Sequence, residues 1–270
     1  AADRVVFGLH IHSFSHLGSM VYKRYSTKSI PMKPFSPQSL TYFFLSRSSN
    51  CPYLPDRVEQ MVFTDLSSAG APQELHDQLS RAGFRRSQSV AYKPNCPECQ
   101  ACRAVRVPVD EFKPGRSLQR IAKRNSGITA AVMPAKGRGE HFALFNRYVR
   151  SRHGDGGMAG MNFDDYLAMV QDTPLPAELV EFRSKNNELY GVCLTDPLDD
   201  GLSLVYSFFD PDLAKDSPGK FIILWHLEEA KRRGLPHVYL GYWIEESHKM
   251  AYKASFRPLE AHGPDGWERI

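Results

Sequence analysis

The sequence lacks any apolar run approaching the roughly 18 residues that a membrane-spanning helix needs, which excludes a membrane-spanning chain. Cysteine is scarce. Five cysteines, unevenly spaced over 270 residues, are too few for a disulfide-stabilised secreted scaffold, so we expect a reducing, cytoplasmic compartment. The composition, 42% hydrophobic and 24% charged, excludes a mainly disordered or fibrous chain. The length fits one large globular domain or two modest ones.

Several catalytic signatures are missing as well. The chain has no G-x-G-x-x-G loop, no Walker loop, no G-x-S-x-G nucleophile turn and no H-E-x-x-H helix. The R/Q-x-x-G-x-G/A loop of acetyl-coenzyme A users is also absent. These absences argue against the enzyme classes that depend on those motifs.

The net charge of +4 conceals one strongly basic segment. Residues 81–150 carry a net charge of +11, whereas residues 151–270 carry −8. The spacing predicts an amphipathic helix over 116–125, with Ser117 as its N-cap and a row of cations on one face. These cations are Arg116, Arg120, Lys123 and Arg124. Because neutralised phosphates release counterions, we expect this face to bind nucleic acid, and a solvated face without a partner is the alternative.

Four cysteines suggest a metal site. Cys96, Cys99 and Cys102 are spaced C-x-x-C-x-x-C, and Cys51 provides a fourth thiol. Four thiolates suit tetrahedral zinc or an iron–sulfur cluster, with a structural role favoured over a catalytic one. The alternative is four reduced cysteines in a turn with no metal. We expect Cys193, in the middle of a predicted strand, to be buried.

The C-terminal half alternates strands and helices. A strand over 202–209, a helix that opens at Ser217 and a strand over 237–243 favour a parallel pair within a mixed sheet. A short helix is predicted over 247–255. On that helix Lys249 and Lys253 share one face, where together they suit a carboxylate or a phosphate; a solvated lysine pair is the alternative.

Several motifs, in order along the chain, resemble one family. They are Cys51–Pro55, Ala82–Ser87, Ala91–Pro94, the cysteine triplet, Val205–Pro211, Tyr239–Trp243 and Lys249–Lys253. Together they resemble the aminoacyl-tRNA–protein transferases, most closely the bacterial aspartate/glutamate leucyltransferases, which are relatives of the eukaryotic arginyltransferases. The resemblance covers about residues 32–270. The eukaryotic relatives carry a C-x-x-C pair, and Leu54 stands here where the second of those cysteines would be.

The resemblance implies an α/β (α+β) fold in which an N-terminal family domain precedes an N-acetyltransferase-like, mixed-sheet acyltransferase domain. We accordingly divide the chain into an N-terminal domain over 32–125, with the cysteines and the basic helix, and a C-terminal domain over 126–270. Residues 1–31 lack the features of a signal peptide, and Met32 looks like a natural start. We therefore expect residues 1–31 to be a non-native or disordered extension.

The resemblance also implies a cytoplasmic enzyme of the N-degron pathway. Such an enzyme moves leucine from leucyl-tRNA to proteins whose N-terminal residue is Asp or Glu. Its partners would be aminoacyl-tRNA and those proteins, with neither a membrane nor DNA involved. Because the aminoacyl ester is already activated, we expect no cofactor to be needed for the chemistry, apart from the zinc or iron–sulfur site predicted at the cysteines.

An acidic acceptor needs a cation within reach. We expect Lys249, Lys253 or Arg257 to supply it, with hydrogen bonds from Tyr252 or Tyr242. Asp210 and Tyr242 are the candidate catalytic residues. For Asp210 the structural alternative is a turn-forming residue before Pro211.

Three other functions stay open at this point. Arginine could replace leucine as the transferred residue, because the choice of donor depends on the shape of a pocket. A coenzyme A-dependent N-acetyltransferase is a second alternative, opposed by the missing pyrophosphate loop. A non-catalytic RNA-binding module with a cysteine metal knuckle is the third.

Overall fold

The computed structural model describes residues 5–6, 9–10, 41–152, 157–247 and 250–270. Within the predicted extension over 1–31, the described residues form two short strands that pair antiparallel with each other. The rest of that prediction falls outside the described residues. In the described ranges no helix is long and apolar enough to cross a membrane.

Strands occur throughout the described chain, with helices between some of them. In chain order they are β1 (Val5–Val6), β2 (Leu9–His10), β3 (Phe44–Leu45), β4 (Ser49–Asn50), β5 (Val58–Glu59), β6 (Met61–Asp65), β7 (Arg85–Ser87), β8 (Val90–Pro94), β9 (Arg103–Pro108), β10 (Thr129–Pro134), β11 (Glu178–Arg183), β12 (Leu189–Leu198), β13 (Gly201–Phe209), β14 (His237–Trp243), β15 (Glu260–Gly263) and β16 (Gly266–Arg269).

Helices connect and cover these strands. The α-helices are α1 (Pro72–Arg81), α2 (Arg116–Arg124), α3 (Gly139–Arg152), α4 (Phe163–Gln171) and α5 (Pro218–Arg232). Short 3-10 helices span Leu66–Ser68, Gly157–Gly160, Pro211–Asp216 and Ala251–Ser255.

A large mixed sheet forms the centre of the molecule, in the order β10-β11-β12-β13-β14-β9-β15-β16. Its neighbouring strands pair antiparallel except β13 and β14, which are parallel and joined through α5. The predicted mixed α/β fold, including the parallel pair, is confirmed. A strand–helix–strand connection produces this pairing because the helix returns the chain to the same end of the sheet.

Both faces of the large sheet are buried at its central strands. Successive side chains of a strand point to opposite faces, so Val192 and Leu194 pack towards α3 and α4, whereas Cys193 packs towards α2 and α5. Cys193 is buried, as predicted. Burial on both sides explains why β12 reads as a nearly continuous run of buried residues rather than as an alternating one.

A smaller sheet, in the order β3-β6-β8-β7, lies beside the large one, with β7 against β13. β9 and α2 fall in the predicted N-terminal domain, yet β9 lies within the large sheet and α2 packs against α5. The predicted division of the chain after residue 125 therefore does not coincide with the boundary between the two sheets.

Two local predictions differ in detail from the structure. The N-cap of α2 is Gly115, whose extended backbone precedes the first helical residue, so Ser117 lies inside the first turn. Within the short helix predicted over 247–255, the described residues Ala251–Ser255 form a 3-10 helix. Lys253 N donates to Met250 O and Phe256 N to Lys253 O, and such i→i+3 bonds define this helix type.

A buried ionic cluster joins the two sheets. Arg86 on β7 donates two hydrogen bonds to Asp196 on β12, at 2.6 and 2.7 Å, and His76 Nε2 lies 3.1 Å from the same carboxylate. All three residues are buried. Burial alone would raise the pKa of Asp196, but Arg86 and His76 outweigh it and hold that pKa well below its ordinary value.

We expect Asp196→Asn to lower the free energy of unfolding by about 3–5 kcal/mol, because it leaves the Arg86 charge buried without compensation. Urea unfolding followed by circular dichroism measures this loss. The matched control is Asp199→Asn, which removes the exposed ion pair between Arg81 and Asp199 and should cost only about 0–1 kcal/mol. Equal losses of stability in the two variants would contradict the conclusion that Asp196 neutralises a buried charge.

Candidate functional site

The parallel strands at the centre of the large sheet pair over a short stretch only. Gly201, Leu202 and Ser203 of β13 face His237, Val238 and Tyr239 of β14, and the register ends there. We call the gap between the remaining parts of these two strands, Leu204–Phe209 and Leu240–Trp243, the strand split. Unpaired strand edges leave backbone donors and acceptors to be satisfied by side chains or by a ligand.

Each of the two strands carries an irregularity beside the strand split. In β13, Thr195 of β12 pairs with Leu204 and Leu194 with Tyr206, so Val205 is an extra residue. In β14 the register with β9 shifts between Tyr239 and Gly241. Such bulges turn successive backbone groups away from the regular ladder, and they are over-represented next to active sites.

The Arg85 side chain fills part of the strand split. It extends from β7 of the smaller sheet, and its Nη2 donates to the carbonyl oxygens of Leu204, at 2.9 Å, and Val205, at 2.8 Å. Gly241 has φ +79°, and a Cβ on it would lie 1.3 Å from Arg85 Nη1. A side chain at this position would be strained by the positive φ and would push aside the guanidinium, which lies directly against the backbone of β14.

Lys253 provides a second cation at the same place. From the 3-10 helix Ala251–Ser255 its Nζ donates to the Tyr242 carbonyl oxygen, and the residue is only 8% exposed. Burial, and then the nearby charge of Arg85, lower the pKa of Lys253 to about 7. Near neutral pH this amine is therefore divided between its charged and neutral forms.

Two predicted tyrosines border these cations. The hydroxyl of Tyr242 lies 2.9 Å from the Tyr92 carbonyl oxygen and 3.2 Å from that of Gly83, which ties β14 to the smaller sheet. Burial raises the pKa of Tyr242 well above its ordinary value. Tyr252 is 38% exposed, and burial, then Tyr148, raise its pKa to about 12. Both phenols are therefore neutral hydrogen-bond donors at pH 7.

The remaining predicted residues near the C-terminal half have other partners. Asp210 accepts a hydrogen bond from Arg147 at 2.8 Å and from the backbone of Asp212 at 3.0 Å, which caps the 3-10 helix Pro211–Asp216. Arg257 Nη1 donates to the Ile270 backbone oxygen at 2.6 Å. Lys249 lies outside the described residues.

A cavity of about 940 Å³ opens on the smaller-sheet side of Tyr242. The four predicted metal ligands line it: Cys51, Cys96, Cys99 and Cys102. Burial and then the other three thiols raise the pKa of Cys102 to about 12, so the four sulfurs are neighbours. Within the described ranges, however, no three His, Cys, Asp or Glu side chains are arranged to hold a metal ion. The four thiols therefore line one cavity without forming a closed ligand set in this structure, and no chemical step is assigned to a metal.

The basic helix α2 is amphipathic, as predicted. Leu118 and Ile121 are buried in the core cluster that includes α5 residues, and the four predicted cations are exposed. Arg124 also donates a hydrogen bond to the Lys215 carbonyl oxygen. Arg124 also lies 3.9 Å from the Asp216 carboxylate, so Arg116, Arg120 and Lys123 are the cations of this row that offer their charge to a partner in solution.

Arg85 is the residue that the sequence reasoning missed as a site residue. It lies within the Ala82–Ser87 motif, but no spacing rule indicates that one of two consecutive arginines crosses into another sheet. The available signal was the pair of consecutive arginines within this motif, because two arginines that enter a fold side by side each need an acceptor.

Comparison with known proteins identifies relatives of this chain. The family model described as "Arginine-tRNA-protein transferase, N terminus" matches residues 49–120, and the one described as "Arginine-tRNA-protein transferase, C terminus" matches residues 140–263.

Two curated relatives carry the same name, aspartate/glutamate leucyltransferase. The protein from Paramagnetospirillum magneticum is 53% identical over 85% of this chain and 93% of its own length. The protein from Granulibacter bethesdensis is 47% identical over 85% of each chain. Among solved structures, the crystal structure of FemX matches 80% of this chain and 84% of its own, at 9% identity and a TM-score of 0.44, a likeness that supports no conclusion.

Proposed function

The chain belongs to the family of aminoacyl-tRNA–protein transferases that includes the aspartate/glutamate leucyltransferases, and from this premise we propose that it transfers leucine from leucyl-tRNA to proteins with N-terminal Asp or Glu. The product begins with leucine, which is a destabilising N-terminus in the N-degron pathway. The donor is a cytoplasmic RNA, so the proposed location is the cytoplasm. Neither DNA nor a membrane is a partner in this reaction.

The single observation that carries the proposal is the 53% identity to a named leucyltransferase over 93% of that protein's length. The site is compatible with the reaction. Tyr242 and Lys253 lie at a gap between two strands, beside the fixed cation Arg85. Such a gap suits a reaction that depends on positioning and charge stabilisation.

The chemistry needs no external energy source, because the aminoacyl ester is already activated. The acceptor's α-amine nitrogen attacks the leucyl carbonyl carbon, and a carbon–nitrogen bond forms. The ester bond to the terminal ribose breaks, and the proton lost by the amine ends on the ribose hydroxyl. Since an α-amine has a pKa of about 7.7–8.0, a fraction of it is neutral and nucleophilic near pH 7.

Arginine is the second candidate for the transferred residue, because the matching family models are named for arginine-tRNA. We expect the purified chain to join leucine from leucyl-tRNA to a peptide that begins with Asp, and to use arginyl-tRNA much less. The assay follows radiolabelled amino acid into peptide, with a Lys-initiated peptide as the control. Transfer from arginyl-tRNA at a higher rate would contradict the leucine assignment, and no transfer from either would contradict the proposed function.

The exposed cations of α2 suit the tRNA. Arg116, Arg120 and Lys123 project into solvent from a helix whose other face is anchored against α5. Contacts to phosphate carry no base information, so the contribution of this helix to affinity would be shared by every tRNA.

We expect Arg120→Glu to weaken binding of all tRNAs alike and to reduce the slope of log affinity against log salt by about one, because a phosphate contact is lost. Fluorescence titrations at several salt concentrations measure both effects. Lys231→Glu changes an exposed cation at the end of α5 and should leave the slope unchanged. A loss confined to one tRNA, or an unchanged slope in Arg120→Glu, would show that α2 does not contact phosphate.

We also propose that the four clustered thiols hold zinc or an iron–sulfur cluster with a structural role. The support is their shared cavity around Cys102, and their present arrangement would have to tighten. Elemental analysis of anaerobically purified protein should find zinc or iron, reduced by Cys102→Ser but not by Cys193→Ser, which alters a thiol buried elsewhere. Protein free of zinc and iron would refute the proposal.

A further inference from the structure

Two cations meet at the strand split without an acidic partner. Arg85 donates to backbone carbonyl oxygens, and so does Lys253. Among the described residues, no carboxylate forms a hydrogen bond or an ion pair with either side chain. Neighbouring Arg86, by contrast, is neutralised by Asp196. The difference between these two consecutive arginines sets Arg85 apart from the structural ion pairs of the fold.

The two cations face adjacent peptide units of β14. The Arg85 guanidinium lies against Gly241, and the Lys253 amine bonds to the carbonyl oxygen of Tyr242. Placing like charges together in a partly buried position is unfavourable, and an anion bound between them would relieve the repulsion. Clusters of this kind are typical of functional sites rather than of structural ones.

Both side chains keep donors available for such an anion. Within the described part of the chain, the side-chain hydrogen bonds of Arg85 use Nη2, which leaves Nη1 and Nε for another acceptor. Lys253 Nζ uses one of its three protons on Tyr242. A guanidinium edge with a neighbouring ammonium group matches the two oxygens of a carboxylate.

We infer that Arg85 and Lys253 together bind the side-chain carboxylate of the acceptor's N-terminal Asp or Glu, and so determine acceptor specificity. This inference rests on the proposed function and assigns its acceptor site. In Asp or Glu the carboxylate is only a few bonds from the α-amine, so holding one places the other. Phosphates of the tRNA are better matched by the exposed cations of α2, whereas a partly buried pair suits a small, singly charged group.

Lys253 is the group at this site whose charge changes near neutral pH. Arg85 on β7 is the charged group that acts on Lys253, whose amine also bonds to the carbonyl oxygen of Tyr242 on β14. Tyr148 on α3 and Cys193 on β12 act in turn on the neighbouring Tyr252. Burial raises the pKa values of the three tyrosines and of Cys193, so these groups are neutral at pH 7.

The experiment compares kcat/KM for two peptides that differ only in their first residue, Asp or Asn, with leucyl-tRNA as donor. We expect Lys253→Met to lower the Asp-to-Asn ratio about ten- to a hundredfold, the range for losing a hydrogen bond to a charged group. Lys253→Arg should retain most of the ratio. Arg85→Lys keeps the charge but not the planar fork, and should lower the ratio by a smaller factor. Lys231→Met is the matched control and should leave it unchanged.

A purely structural role would lower both rates together and leave the ratio as in the wild type, and that result would overturn the inference. Wild-type protein that transfers leucine to neither peptide would instead contradict the proposed function. Thermal unfolding of each variant identifies misfolded protein.

A second measurement uses only the wild-type protein, so it stands even if a variant fails to fold. Between pH 6.5 and 8.5 the Asp-to-Asn ratio should fall, because Lys253 loses its proton as the pH rises through about 7. The aspartate carboxylate raises the pKa of its own α-amine relative to that of asparagine, so both α-amine pKa values are measured and each rate is expressed per neutral amine before the ratio is taken. A ratio independent of pH over this range, or one that rises, would overturn the inference.

Discussion

The insertion of Arg85 from the smaller sheet into the larger one is the interaction on which the rest of the structure depends. Without it, the carbonyl oxygens of Leu204 and Val205 would face the strand split unpaired. An unpaired buried carbonyl is costly, so parallel strands that separate need some group between them. Here that group is a permanent cation, which makes the gap both stable and electropositive.

Two consecutive residues, Arg85 and Arg86, each connect the smaller sheet to the larger one. Because side chains alternate along a strand, Arg86 points to the opposite side of β7 from Arg85 and meets Asp196 in a fully buried pair. That pair fixes the position of β7, and a fixed β7 fixes the guanidinium of Arg85. The site is therefore a joint product of both halves of the chain, with Lys253 and Tyr242 from one half and Arg85 from the other.

The sequence pattern predicted the elements whose order or residue spacing is regular. The parallel pair of β13 and β14 followed from a strand–helix–strand order, and the faces of α2 followed from its 3.6-residue spacing. The capping of α2 and the turns around Met250 depend on backbone angles that composition does not determine. The strand split could not be predicted, because it arises from bulges at Val205 and near Gly241 and from a side chain distant in sequence. Motif resemblance included Arg85 but gave it no role.

The cations discussed above fall into two sets, one exposed on the surface and one buried at the strand split. The exposed cations of α2 are separated by solvent and suit a polyanion that can move along them, whereas Arg85 and Lys253 are partly or fully buried and suit one small anion. Exposed charges contribute attraction at a distance, and buried ones contribute discrimination. An enzyme that must hold an RNA and select an acidic N-terminus needs both.

The most direct test of this account is a crystal structure of the chain bound to a short peptide that begins with Asp. The account predicts the aspartate carboxylate in the strand split, with its oxygens about 3 Å from Arg85 Nη1 or Nε and from Lys253 Nζ. A peptide whose carboxylate lies elsewhere, with Arg85 and Lys253 bonded only to backbone carbonyl oxygens, would contradict it.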